Sequence, residues 1–233
     1  GRPGPVLISL PEDIERSECI NQPVLGKTDT ISQSITEEGA KTVSDMICAA
    51  ERPCIVSGEG VLRCNVPDRL VKFAELINVP VFTAWRRFDT FPNNHSLYLG
   101  ALHVSSYSNI LSEPLKKADL VIAIGTRLDE FSTLNYSIPA TWQKLIHIDH
   151  SAAESGGKRA ENHLYIQAEI GEAMHKIGEA IKASKYTGPS KVRQRELKDW
   201  HKRFQKLTTP RSGRKSLVEG AIDLEGIYYD IVN

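Results

Sequence analysis

Residues 119–127 read Asp119-Leu120-Val121-Ile122-Ala123-Ile124-Gly125-Thr126-Arg127. The run of five apolar residues, with an acid before it and a glycine after it, has the length and β-branched character of a strand buried on both faces. Such strands belong to parallel sheets covered by helices. The same kind of short run recurs at 54–57, 79–85 and 144–149, and helical patterns lie between these runs. Thr36 precedes Glu37 and Glu38 as an N-cap, and Ala40, Val43, Met46, Ile47 and Ala50 follow at helical spacing until Arg52-Pro53 ends the pattern. Further helices are predicted over 66–77, 106–117 and 170–183. Strands alternating with helices predict an α/β fold, doubly wound, with a parallel sheet and helices on both faces.

Composition supports a folded chain and narrows its partners. Hydrophobic residues make up 40% of the 233 before the 16 glycines are counted, close to the ~45–50% apolar-plus-glycine usage of globular domains. The 29 acidic and 29 basic residues cancel, so no global field draws the chain to nucleic acid or to an anionic membrane. Any basic patch is local. Cys19, Cys48, Cys54 and Cys64 form no C-x-x-C pair, which argues against zinc. No apolar run approaches the ~18 residues of a membrane span. A soluble, cytoplasmic chain is expected.

The two ends differ from the middle. Gly1-Arg2-Pro3-Gly4-Pro5 leads directly into Val6-Leu7-Ile8-Ser9-Leu10, an apolar run read as a strand with nothing before it to pair with. Residues 15–35 are polar, carry Pro23 and Gly26, and read as a linker. Residues 184–220 are rich in Lys and Arg, with Glu196 and Asp199 interrupting the charge. They read as a second linker with a solvated interdomain helix, in preference to a nucleic-acid arm. Residues 221–233 begin an amphipathic helix that stops in mid-pattern. The chain therefore reads as cut at both ends, with 36–183 as its compact unit.

Candidate ligand residues cluster after the strands, where open α/β sheets bind their ligands. Gly58 and Gly60 follow the first buried strand, but Arg63 stands where a G-x-G-x-x-G fingerprint needs a small residue. A tight strand-to-helix turn accounts for them equally well. Gly125, Thr126 and Arg127 offer a turn, a hydroxyl and a guanidinium to an anion such as a pyrophosphate; pairing of Arg127 with Asp129 or Glu130 is the alternative. Asp149 ends its strand as an acceptor for a ribose or an adenine, and Gly100 lies in a stretch, 99–103, read as a loop lining the same crevice. His147 and His150 read as structural. Trp85-Arg86-Arg87-Phe88 reads as packing between domains. No nucleophile elbow, phosphate loop with lysine, paired-carboxylate motif or H-E-x-x-H occurs, so no catalytic residue and no metal ligand is assigned.

Taken in order, RPCIVSGEGV, LVKFAELINVPVFTAW, FPNNHSLYLG, ADLVIAIGTRLDEFSTL and KLIHIDH resemble the central domain of thiamine-diphosphate-dependent enzymes of the acetolactate synthase group. The resemblance implies a Rossmann-like sheet of about six strands. It makes residues 1–14 a remnant of the preceding pyrimidine-binding domain and 221–233 the start of the diphosphate-binding domain. It further implies a 2-oxo acid decarboxylase or carboligase whose thiamine diphosphate and Mg²⁺ sit outside this chain, with the flanking domains as partners and a homodimer or homotetramer as the intact state. In that family the central crevice holds FAD, ADP or nothing. By position, Gly58, Gly60, Gly100, Gly125, Thr126, Arg127 and Asp149 would make such contacts. The chain departs from the family pattern at Glu59, Ser151 and Ala168-Glu169. A self-standing FAD-, NAD- or ADP-binding module is the alternative.

Overall fold

The computed structural model describes residues 4–18, 33–102, 113–151 and 163–208. Most of the 15–35 linker, Cys19, the start of the 106–117 helix, the end of the 184–220 stretch and all of 221–233 lie outside the described residues.

The sheet is built around strands β1 (Pro53–Ser57) and β4 (Leu120–Ile124), in which every residue is buried. A strand buried on both faces has no polar side to show, which is why both read as unbroken apolar runs. Beside them run β2 (Val81–Thr83) and β5 (Lys144–Asp149), then β3 (Tyr98–Ala101) and β6 (His163–Gln167) at the edges. The order is β3-β2-β1-β4-β5-β6, with all neighbours parallel. The sheet is thus doubly wound, as the alternation of strands and helices predicts, and has the six strands that the resemblance implies.

Two corrections concern the sequence reading of strands. Residues 99–101, expected within a loop, belong to β3, a four-residue strand whose Gly100 has φ +103° and whose register with β2 shifts between Val81 and Thr83. Residues 6–10, expected as a strand, form none: Val6, Leu7, Ile8 and Leu10 are 84, 95, 75 and 66% exposed. An apolar run becomes a strand only against a partner edge, and these residues meet none among those described. The short helix α1 (Glu12–Glu15) follows them.

Helices α2 (Glu37–Ala49), α3 (Glu59–Arg63), α4 (Pro67–Ile77), α5 (Glu113–Lys116), α6 (Ile170–Ala183) and α7 (Lys191–Thr208) complete the fold. Thr36 caps α2 as expected, its hydroxyl accepting from the Gly39 N–H at 3.0 Å. Glu169 caps α6 through the N–H groups of Gly171 and Glu172. Parallel crossovers are right-handed. Helix α4, formed as the chain steps outward from β1 to β2, and α5, formed as it returns to β4, therefore lie on opposite faces. Helix α6 packs against both α2 and α4. No helix among the described residues is long and apolar enough to cross a membrane.

Polar contacts fix where β1 begins. The Asp119 carboxylate accepts from the N–H groups of Glu51 and Arg52, both at 2.7 Å, so the start of β4 holds the lead into β1. Helix α7 runs through the stretch read as a basic linker and packs Leu197 and Phe204 inward, Phe204 edge-on to Tyr98 at 5.3 Å. It also lays the buried Arg193 against Cys54, with 4.0 Å between Nη2 and Sγ. Burial is the main influence on that thiol. The nearby Asp119 charge adds to it and Arg193 opposes it, and the net effect pushes the thiol up to about 12. A thiol that stays protonated is a poor nucleophile. In the native chain at pH 8, a disulfide reagent should therefore leave Cys54 unmodified for hours while the half-buried Cys48 and Cys64 react. Peptide mapping reads the outcome, and early labelling of Cys54 would show that α7 does not hold this seat.

Candidate functional site

The strand order reverses between β1 and β4, so the carboxyl ends of these strands flank the switch point where doubly wound sheets bind ligands. Gly58, Glu59 and Gly60 leave β1 on one side, and Gly125, Thr126 and Arg127 leave β4 on the other. The structure presses the two turns together. The Gly58 N–H donates to the Ile124 carbonyl at 2.9 Å and the Gly60 N–H to the Gly125 carbonyl at 2.8 Å. A Cβ on Gly58 would lie 2.6 Å from both the Gly125 oxygen and Thr126 Cα, and one on Gly60 would lie 2.7 Å from Gly125 Cα. The missing side chains thus make room for the chain's own backbone. Two N–H groups that a phosphate would need already have acceptors.

The remaining predicted residues spread along the crevice. Thr126 is buried, and its hydroxyl accepts from the Leu128 N–H at 3.3 Å. His147, on β5, donates from Nε2 to the Thr126 carbonyl at 2.7 Å, a structural role in keeping with its sequence reading. Asp149 is fully buried at the end of β5, where one oxygen accepts from the Ser151 N–H at 3.1 Å and lies 3.2 Å from His150 Nδ1. Gly100 sits in β3, two strands from β1. Arg127 is exposed. Among the described residues no group of three or more His, Cys, Asp or Glu side chains is placed to hold a metal ion.

Glu59, the first residue of α3, points its carboxylate at two arginines. Arg63, one turn on, reaches one oxygen at 2.5 Å, and Arg87, from the loop after β2, reaches the other at 3.2 Å. Partial burial would raise the Glu59 pKa, but hydrogen bonds and charge from Arg87 and Arg63 outweigh it and hold the carboxyl below the ordinary glutamate value. The acid therefore gathers cations at the mouth of the crevice. Sequence reasoning did not assign Arg63 and Arg87; the i, i+4 spacing of Glu59 and Arg63 was the available signal.

Aromatic stacking ties the rim together. Trp85 lies parallel to Phe131 at 5.9 Å, Arg86 sits over the Trp85 ring at 5.7 Å, and the Trp85 N–H donates to the Ser132 hydroxyl at 3.0 Å. The stretch read as interdomain packing thus binds the loop after β2 to the loop after β4. Backbone strain gathers here: Arg86, Leu128, Leu134, Asn135 and Tyr136 all have φ between +52° and +63°, a region that non-glycine residues occupy only when their surroundings hold them.

A family model described as the thiamine pyrophosphate enzyme central domain matches residues 40–177. The acetolactate synthase large subunit of Corynebacterium glutamicum is 31% identical over 192 residues, covering 79% of this chain and 30% of that protein. The glyoxylate carboligase of Escherichia coli O157:H7 is 27% identical over 207 residues, covering 84% and 35%. Among solved structures, benzoylformate decarboxylase from Polynucleobacter necessarius superposes with a TM-score of 0.57 at 20% identity, covering 70% of this chain and 30% of that one. The last similarity is one of fold. The chain spans about a third of the length of these relatives.

Gly125 has φ +61°, and a Cβ there would come within 2.9 Å of Gly60 Cα, Ile170 Cδ1 and the Val61 nitrogen. Left-handed backbone costs an L-residue ~1–2 kcal/mol, and overpacking adds ~1–3 kcal/mol. Gly125→Ala should therefore lower stability by about 2 kcal/mol or more in urea unfolding. An unchanged midpoint would mean that the two turns are not packed this closely.

Proposed function

The chain belongs to the thiamine pyrophosphate enzyme central-domain family, and from that premise we propose that it is the middle, structural part of a larger thiamine-diphosphate-dependent enzyme that decarboxylates or joins 2-oxo acids. The observation that carries this reading is the extent of the family match. Residues 40–177 take in all six strands, so the match covers the whole sheet and not one motif. The acetolactate synthase and glyoxylate carboligase relatives support the reaction class, and their greater length leaves room for the parts that act on substrate.

In this reading, thiamine diphosphate supplies the electron sink for the carbanion chemistry and Mg²⁺ anchors its diphosphate, both outside these 233 residues. The described residues do not fit either group: the glycine turn is filled by backbone, and no donor set suits a metal. The chain's own work is to hold two loop clusters, 85–90 and 126–137, at one end of a rigid sheet, through the Trp85–Phe131 stack and the Glu59–Arg87 pair. The flanking domains of the same protein are the proposed partners, and a homodimer or homotetramer is the proposed intact state. The free thiols of Cys48, Cys54 and Cys64 suit the reducing cytoplasm.

FAD or ADP in the crevice is a separate matter. A pyrophosphate does not fit the 58–60 turn as placed, because the N–H groups of Gly58 and Gly60 already donate to carbonyls of the same chain. The same geometry counts against a self-standing dinucleotide-binding module. We take the crevice to be a structural seam.

Two measurements test this. Given pyruvate, thiamine diphosphate and Mg²⁺, the chain alone should release no carbon dioxide above a protein-free control; release would place catalytic groups within it. Calorimetric titration of FAD should be indifferent to Arg127→Ala. Loss of a charge-assisted hydrogen bond worth ~1.5–3 kcal/mol, a drop of about 10- to 150-fold in affinity, would instead restore the crevice as a nucleotide site.

A further inference from the structure

Helix α7 turns one face inward, with Arg193, Leu197 and Phe204 buried. On its other face Lys191, Arg195, Lys198, Lys202 and Lys206 recur at steps of three and four residues, and all five are exposed. Side chains at that spacing fall on one stripe of a helix. At ~1.5 Å per residue the stripe runs for about 22 Å. Composition alone reads this stretch as solvated, because Glu196 and Asp199 interrupt its charge. Folding removes one interruption. Glu196 turns inward, where it accepts from Arg193 at 3.1 Å and from Arg52 at 3.3 Å.

None of the five cations forms a salt bridge among the described residues, and Asp199 is the one acid of the helix left exposed. Glu51 and Glu113, on the elements beside α7, pair with Arg52 and Lys117 and do not offset the stripe. The helix holds seven Lys and Arg against two acids, yet the whole chain is neutral. The balancing acids therefore lie elsewhere. Their densest cluster among the described residues is 12–18, where Glu12, Asp13, Glu15 and Glu18 stand against Arg16 alone, all of them exposed. Arg16 pairs with Glu12, so the other three acids keep their charge unmatched. Each surface also has an apolar border: Val6, Leu7, Ile8, Leu10 and Ile14 beside the acids, Val192 and Leu207 beside the terminal lysines of the stripe. These borders matter because exposed ion pairs alone contribute little.

We propose that the cationic stripe of α7 docks the acidic segment 12–18 of a second copy of this chain. Under two-fold symmetry each copy offers α7 to its partner and receives α7 in return, so one contact is made twice and the pair closes. A second copy is favoured over a nucleic acid because the stripe holds no aromatic side chain on which a base could stack, while the complementary acids stand on the chain itself. The contact gives surfaces to the homodimer proposed above and rests on that reading of the intact state. It is weak and sensitive to salt.

The test is sedimentation velocity of the chain at about 100 μM, enough to populate a weak dimer, at two ionic strengths. Exposed charges act over ~30 Å at about 0.01 M salt and over ~3 Å at about 1 M, so the chain should sediment as a dimer in the first and as a monomer in the second. Lys198→Glu with Lys202→Glu should leave it monomeric in both, as should Asp13→Lys with Glu15→Lys. All four side chains are exposed, so circular dichroism should show native folding in each variant. Joined in one chain, the two pairs of changes should restore the low-salt dimer, because the reversed charges meet again. A dimer that persists in high salt, reversals that associate as the wild type does, or a combined variant that stays monomeric would each overturn the proposal. A wild-type monomer at both ionic strengths would overturn it too and leave the family reading standing, since the carbon dioxide assay tests that separately. A duplex oligonucleotide that binds through Lys198 and Lys202 while no dimer forms would assign the stripe to nucleic acid instead.

Discussion

Two backbone hydrogen bonds, from the Gly58 N–H to the Ile124 carbonyl and from the Gly60 N–H to the Gly125 carbonyl, join the halves of this molecule where its strand order reverses. Chains that wind outward in both directions from a central pair of strands leave a gap at that point. Here three glycines allow the gap to close. Ser57 and Ile124 are thereby held level, Ile170 of α6 packs against Gly60 and Gly125, and α3 starts at a fixed angle. The position of Glu59 follows from that angle, and the placing of Arg63 and Arg87 follows from Glu59.

Much of this was legible in the sequence because burial on both faces leaves a simple trace. β1, β2, β4 and β5 were found as short apolar runs, and α2, α4 and α6 by their helical patterns, α2 with its Thr36 cap. The edge strands were not. Tyr98-Leu99-Gly100-Ala101 is short and holds a glycine, and His163-Leu164-Tyr165-Ile166-Gln167 mixes polar with apolar residues, as a strand with one neighbour is free to do. The opposite error came from Val6-Leu7-Ile8-Ser9-Leu10, where composition suggested a strand but pairing decides. The glycine turns were located correctly. What residue types alone leave open is whether a glycine makes space for a ligand or for another stretch of the same chain. Glu59 posed a similar ambiguity, since a carboxylate repels an anion or collects cations according to what folds beside it.

A carboxylate shared by two arginines occurs at both ends of the sheet. At the carboxyl ends, the single carboxylate of Glu59 is shared by Arg63 and Arg87. At the amino ends, Glu196 is likewise shared between Arg52 and Arg193, while Glu51 stands beside Arg52 and Glu113 pairs with Lys117. Helix α7 supplies Glu196 and Arg193 to this arrangement, because a basic stretch that reads as solvated from its composition folds back against β3.

The apolar stretch before α1 bears on how the chain behaves at high concentration. Val6, Leu7, Ile8 and Leu10 stand mostly in water, and an unpaired run of β-formers without charge is a template for copies of itself. Pro5 and Pro11 bracket it. Neither proline has an N–H to give to a ladder, so a strand growing between two chains has five residues to work with and stops at both ends. The brackets act as gatekeepers. Any pairing through this run would be short, and losing either proline would lengthen the segment open to a second chain.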